Sequence, residues 1–214
     1  PPYMGAKGMN PRLTAFLKSK YPEAKADLMT AFMVRNNALS TAKGFVAKVT
    51  LDSWMFLSTF EKLRRSLLSA CSVDSMVHVG WNCFPDGHVY NRGVAWVFSK
   101  MRPNLAGNYV NLTDLPPTTS KGEAFLSPEI RAENLHSRSA SDFASIPGMP
   151  VAYWLSDQLL SCFQMEESLG DHCRALSGMR TGDNDRFLRS WYEVSHDQLG
   201  TRTSDRSEKW FPYN

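Results

Sequence analysis

Pro1, Pro2 and Tyr3 open the chain and carry its most pointed chemical signal. Two adjacent prolines stiffen the backbone and leave a carbonyl beside a nitrogen that has no proton. An aromatic ring next to such a carbonyl suits the grip of a flat heteroaromatic, which the ring covers by stacking. The amino nitrogen of adenine is a target that needs this grip, because its lone pair is delocalised into the base. An enzyme that alkylates it must take the base out of the stack, fix it and raise the nucleophilicity of that nitrogen. A side-chain amide and a proline-locked carbonyl accept the two amino hydrogens in a loop reading Asn-Pro-Pro-Tyr. The last three letters of that loop stand here. Taken alone, they fit a polyproline-like turn or a peptide ligand better.

Other reactive side chains are scattered. Cys71, Cys83, Cys162 and Cys173 lie far apart with no C-x-x-C pair, which predicts reduced thiols. His78, His88 and His172 lie near them, but the spacings match no zinc pattern, so core packing is expected and no metal. The stretch "GMRTGDNDRF" (178–187) lacks both the Gly-Lys-Ser/Thr ending of a phosphate loop and the spacing of a calcium loop. It reads as a turn whose Asp and Asn cap backbone groups. A second reading sets Arg180, Arg186 and Arg189 near DNA, on phosphates or base edges. If the run is a strand, Arg186 and Arg189 face opposite sides and at most one touches DNA directly.

The 214 residues are 43% hydrophobic and 21% charged, as expected for one domain, or one domain and part of another. No apolar run approaches the ~18 residues of a membrane helix and no targeting segment stands out, so a cytoplasmic protein is expected, away from membranes. The net charge of +3 hides an asymmetry. Residues 1–120 hold fourteen Lys and Arg against seven Asp and Glu, a net +7; residues 121–214 hold ten against fourteen, a net −4. The basic part suits a polyanion or simply a solvated surface.

These residues need elements to hold them. Asn10-Pro11 predicts a capped helix to Lys20, ended by Tyr21-Pro22. A second helix is expected from Asp27 to Ala42, stopping at Gly44. "FVAKVT" (45–50) reads as a buried strand, and the Ser58/Glu61 spacing predicts a capping box opening a helix to Ser69. Strands are expected over 73–79 and 94–100, around a turn-rich connection. This order is α/β, with an antiparallel hairpin at its end. Residues 101–122 break the pattern with Pro, Asn and Gly and read as a linker. Beyond it the rhythm is irregular: a tight turn and aromatic helix near 146–163, then a strand-like run after the glycine turn at 182.

The order "PPYMGAKGMN", "DLMTAFM", "GFVAKVT", "SWMFLSTFEKLRRSLL", "HVGWNCFP", "GVAWVF" resembles the gamma-type, amino-adenine-specific DNA methyltransferases. More narrowly the chain resembles the large methyltransferases of BREX phage-defence systems (the PglX family), through "IPGMPVAYW", "GMRTGDNDRFLRSWYEVS" and "KWFPYN". The resemblance implies that residues 1–100 are the C-terminal part of a Rossmann-like class I methyltransferase sheet, its last three strands. Residues 101–122 would then be a linker, and 123–214 the start of a mixed α+β target-recognition domain. It implies transfer of a methyl group from S-adenosylmethionine to a flipped-out adenine of double-stranded DNA, with phage-defence proteins as partners. Pro1 would give the accepting carbonyl, Pro2 would hold the turn, and Tyr3 and Phe84 would stack on the base. Phe32 would pack on the cofactor's adenine; helical spacing alone makes it core.

The Asn of the four-residue loop would stand just before Pro1, and the glycine-rich cofactor loop upstream of it. The resemblance therefore implies a piece of a larger enzyme, inactive by itself. Methyl transfer to RNA or to a protein glutamine, or DNA binding without catalysis, are the alternative readings.

Overall fold

Asn10 accepts from the Leu13 amide at 2.9 Å and starts α1 (Pro11–Lys20), with Pro11 in the first turn where no donor is needed. Asp27 does the same for α2 (Leu28–Leu39), accepting from Met29 N at 2.9 Å. That helix ends three residues earlier than its apolar spacing predicts. Ser40 is extended, and its hydroxyl takes the Asn37 carbonyl at 2.9 Å. The computed structural model describes residues 1–81, 83, 92–101, 104–116, 118–165, 167–174, 176, 181–200 and 208–212. Its contacts divide the chain into two compact units, residues 1–166 and 167–214.

In the first unit the chain continues through β1 (Phe45–Leu51), a 3-10 turn at Asp52–Met55, α3 (Glu61–Ala70), β2 (Ser72–Gly80), β3 (Gly93–Ser99) and β4 (Gly107–Asn111). Then come α4 (Lys121–Leu126), α5 (Pro128–Glu133), β5 (Leu135–Arg138), α6 (Ala140–Ala144) and α7 (Asp157–Cys162). The five strands form one mixed sheet in the order β1-β3-β2-β4-β5. β3 runs antiparallel to both neighbours, so β1 and β2 are parallel with a reversed strand between them. β4 is parallel to β2, and β5 antiparallel to β4. The expected α/β class and the β2–β3 hairpin are both present.

Two local expectations are corrected. Ser58 does not cap α3: residues Ser58–Phe60 form a 3-10 turn and Phe60 is the capping position. The Leu57 carbonyl before that turn is taken by buried Arg64, at 2.7 Å. Within 101–122, residues Gly107–Asn111 are a strand of the sheet rather than irregular chain. Gly107 makes that pairing possible. A Cβ there would stand 1.9 Å from the Val73 carbonyl oxygen, so only glycine lets the two backbones approach.

One face of the sheet holds the core. Val46, Met76, Val94, Trp96 and Phe98 are buried there with Trp54, Leu63 and Leu67. Trp96 stacks on Phe98 with ring centroids 4.1 Å apart, and Trp54 meets both edge-on. The two indoles share an acceptor: Trp54 Nε1 and Trp96 Nε1 each donate to Thr50 Oγ1 at 3.0 Å. Both buried donors are satisfied by one hydroxyl.

The second unit contains α8 (Leu169–His172) and α9 (Asn184–Phe187), then 3-10 turns at Trp191–Glu193 and His196–Gln198. The strand-like run expected after residue 182 is thus helical turns. Asp183 accepts from Arg186 N at 3.1 Å and winds the chain, and a Ser190/Glu193 capping box winds the next turn. No helix among the described residues is long and apolar enough to cross a membrane.

Candidate functional site

The opening tripeptide leads into a strap, residues 4–6, laid against the start of α2. Leu28 N donates to Met4 O at 2.9 Å, Ala6 N donates to Ala26 O at 3.0 Å, and Gly5 bridges Asp27 antiparallel. Thr30 stiffens the anchoring turn from within, its hydroxyl bonded to the Ala24 and Asp27 carbonyls at 2.8 and 2.6 Å. Pro1 and Pro2 are exposed, and among the described residues neither carbonyl is engaged in a hydrogen bond. Tyr3 is half-buried, and its hydroxyl reaches the Val49 carbonyl at 3.4 Å. Burial, and then the neighbouring Cys83, push the phenol above its usual range, so it stays neutral.

Phe32 lies on the helix that the strap grips. It is 40% exposed, which departs from the core position its spacing predicts. The Lys48 ammonium is 5.5 Å from the ring centroid and donates to the Phe32 carbonyl at 3.1 Å. Adjacent residues of β1 therefore support the two aromatics, Lys48 under Phe32 and Val49 under Tyr3. Phe84 lies outside the described residues. Cys83, just before it, sits tight on the start of β3, where a Cβ on Gly93 would be 2.3 Å from its sulfur.

A second group of polar residues went unnoticed as a unit in the sequence. His78 is buried in β2 and bonds Asp52 Oδ2 through Nε2 and the Tyr153 hydroxyl through Nδ1, both at 2.9 Å. Arg92 Nε donates to the same Asp52 oxygen at 2.7 Å. Burial would raise the Asp52 carboxyl, but His78 and Arg92 outweigh it and hold the group below the usual carboxylate range. Asp52, His78 and Arg92 border a cavity of about 730 Å³, which Phe56, Asn134, His136 and Trp154 also line. The available signal was His78 itself, a polar residue at an inward position of an apolar strand. Its partners are 26 and 75 residues away and leave no local pattern.

The arginine candidates lie in the second unit. Arg186 stands over Phe187 at 5.1 Å, and Arg189 over Trp210 at 5.7 Å. Arg189 also donates to the Asp185 and Leu188 carbonyls at 2.7 and 2.6 Å. Trp191 and Tyr192 beside them are 87% and 71% exposed. Arg180 lies outside the described residues. Among the described residues no three His, Cys, Asp or Glu side chains are grouped to hold a metal.

Residues 1–84, which include the strap, α2 and β1, match the Eco57I restriction-modification methylase family. Over 100% of its length the chain is 34% identical to the adenine-specific methyltransferase PglX of Lacticaseibacillus casei (strain Zhang), covering 18% of that protein. Over 99% it is 37% identical to the adenine-specific methyltransferase BrxX of Escherichia coli O9:H4 (strain HS), covering 17%. The chain is similar to these adenine-specific methyltransferases over its whole length, and it spans less than a fifth of the length of these relatives. A modification subunit of a putative type I restriction enzyme from Vibrio vulnificus YJ016 overlays 56% of the chain and 29% of its own, with 15% identity and a TM-score of 0.46.

Proposed function

We propose that this chain forms part of a DNA methyltransferase acting on the amino group of adenine, in phage defence or restriction-modification. The observation that carries the reading is the opening segment: a proline-stiffened backbone with unengaged carbonyls and a braced Tyr3, leading into the strap anchored to α2. Along with it stands relatedness to PglX and BrxX over the whole chain.

In this reading the flipped adenine lies on Tyr3. The Pro1 carbonyl accepts one amino hydrogen, and Pro2 keeps that carbonyl from turning away. Holding the amino group as a donor localises its lone pair for attack. Positioning and hydrogen-bond acceptance supply most of the rate enhancement. Phe84 is assigned the second face of the base. The exposed Phe32 ring suits the adenine of S-adenosylmethionine, which supplies the methyl group when bound. We assign residues 1–100 to the catalytic part, as the last three strands of a Rossmann-like methyltransferase sheet. Target recognition begins at 123, with Arg180, Arg186 and Arg189 as DNA contacts. Double-stranded DNA, other defence proteins and a cytoplasmic setting complete the proposal.

The test is methylation by the native protein that carries this sequence. Incubated with genomic DNA and S-adenosylmethionine, it should deposit N6-methyladenine at one sequence. Methyl transfer to RNA or to a glutamine side chain, with none to DNA, would refute the reading.

A further inference from the structure

Asp52 follows the end of β1, His78 lies near the end of β2, and Asn111 ends β4. These three strands are parallel to one another, so the 730 Å³ cavity opens at their shared carboxyl edge. Open α/β sheets bind ligands at that edge. The cavity is next to Tyr3: Val49, which holds the Tyr3 hydroxyl, is three residues before Asp52.

The lining is chemically mixed. Trp154 is 43% exposed and Phe56 is packed beside it, with ring centroids 5.6 Å apart, giving an aromatic wall. Among the described residues, Arg92 donates only through Nε, to Asp52, which leaves its terminal nitrogens for another acceptor, and Asn134 donates to the Ile130 carbonyl while its own amide oxygen accepts nothing. Among the described residues, both ring nitrogens of half-buried His136 are without hydrogen-bond partners. Burial and then Arg138 hold this imidazole below its usual range, so one nitrogen donates and the other accepts. Asp52 and Asp114 stand against an anion such as phosphate. Flat shape, an aromatic face and alternating donors and acceptors on an edge describe a nucleobase.

We propose that the cavity bounded by Asp52, Arg92, Asn134, His136 and Trp154 takes a second nucleobase of the DNA, stacked on Trp154 and read at its edge by His136 and Asn134. The proposal rests on the DNA methyltransferase reading. It adds a base-specific contact within residues 1–166, in addition to the arginines assigned to DNA in residues 167–214.

The test is a double-mutant cycle between protein and DNA. Sequencing of DNA methylated by the native protein defines its site. Each base around the methylated adenine is then replaced in turn by an abasic spacer, and affinity is measured for wild type, Trp154→Ala and His136→Ala. At one position other than the methylated adenine, the spacer should weaken wild-type binding about tenfold and leave both variants nearly unchanged. Additive effects at every position overturn the proposal and leave the methyltransferase reading intact. A wild-type protein that methylates no DNA removes both. The cycle compares each variant with itself, so a partial loss of folding does not mimic coupling.

Discussion

Arg64 and Met149 are 85 residues apart in sequence and joined by a buried hydrogen bond, from Arg64 Nε to the Met149 carbonyl at 2.9 Å. The same guanidinium donates to the carbonyls of Gly148 at 2.6 Å, Trp54 at 2.8 Å and Leu57 at 2.7 Å. Arg64 is 1% exposed and has four carbonyl partners in place of a carboxylate. It ties the turn before Tyr153 and Trp154 to α3 and to the 3-10 turn that begins with Asp52. Arg64→Met should leave four carbonyls short of a donor and destabilise the native protein by about 3 kcal/mol or more, seen as a lower denaturation midpoint. Arg64→Lys should recover only part of the loss, because one ammonium cannot span the fork.

Gly107→Ala should detach β4. The added methyl collides with the Val73 backbone, which no rotamer change relieves. Hydrogen exchange should quicken across Gly107–Asn111 and its partner Leu135–Arg138 while β1 and β3 keep their protection. Unchanged exchange in β4 would mean the two backbones can separate without loss of pairing.

Tyr3→Phe and Tyr3→Ala separate the ring from its hydroxyl. The phenylalanine keeps the stacking face and loses the long bond to Val49, so turnover should stay within a few-fold. The alanine should reduce turnover roughly a hundredfold, with cofactor affinity nearly intact. Equal losses in the two variants would give the role to the hydroxyl.

Two titrations, of buried Asp52 and half-buried His136, set the acid side of stability. The Asp52 carboxyl is held low, so its contribution is present above about pH 4, its ordinary range, and is lost as pH falls toward the folded value. The His136 imidazole is also held low, but here the unfolded chain takes up the proton first. Stability should therefore decline as pH drops below about 6.5, before the carboxylate phase begins. Denaturant midpoints against pH should show the upper phase vanish in His136→Gln and the lower one shrink in Asp52→Asn.

Much of the strap and the first three strands was legible because its signals are local. Asn10-Pro11 and Asp27 cap helices through neighbours two or three residues away, and "FVAKVT" is β-branched and mostly apolar, although Phe45 and Val49 are exposed rather than buried as that reading expects. β4 was hidden because Gly107-Asn108 looks like a turn until the Val73 backbone lies against it. Ser58 offered the right capping spacing, but the carbonyl of Leu57 was claimed by Arg64, a contact seven residues away. The Asp52–His78–Tyr153 group was hidden for the same reason: three segments meet, and none carries the pattern alone. The run that holds Arg186 and Arg189 reads as strand-like after the glycine turn at 182. Asp183 capping turned that run into a helical turn.

The pairing of Gly80 with Gly93 has a consequence for how this protein can vary. The chain leaves the sheet and rejoins it at a pair of positions closed to side chains: Gly80 has a φ of 70°, and a Cβ on Gly93 would stand 2.3 Å from the Cys83 sulfur. Drift in the sequence is thereby barred from this pair, which pins the edge where β1 and β2 end.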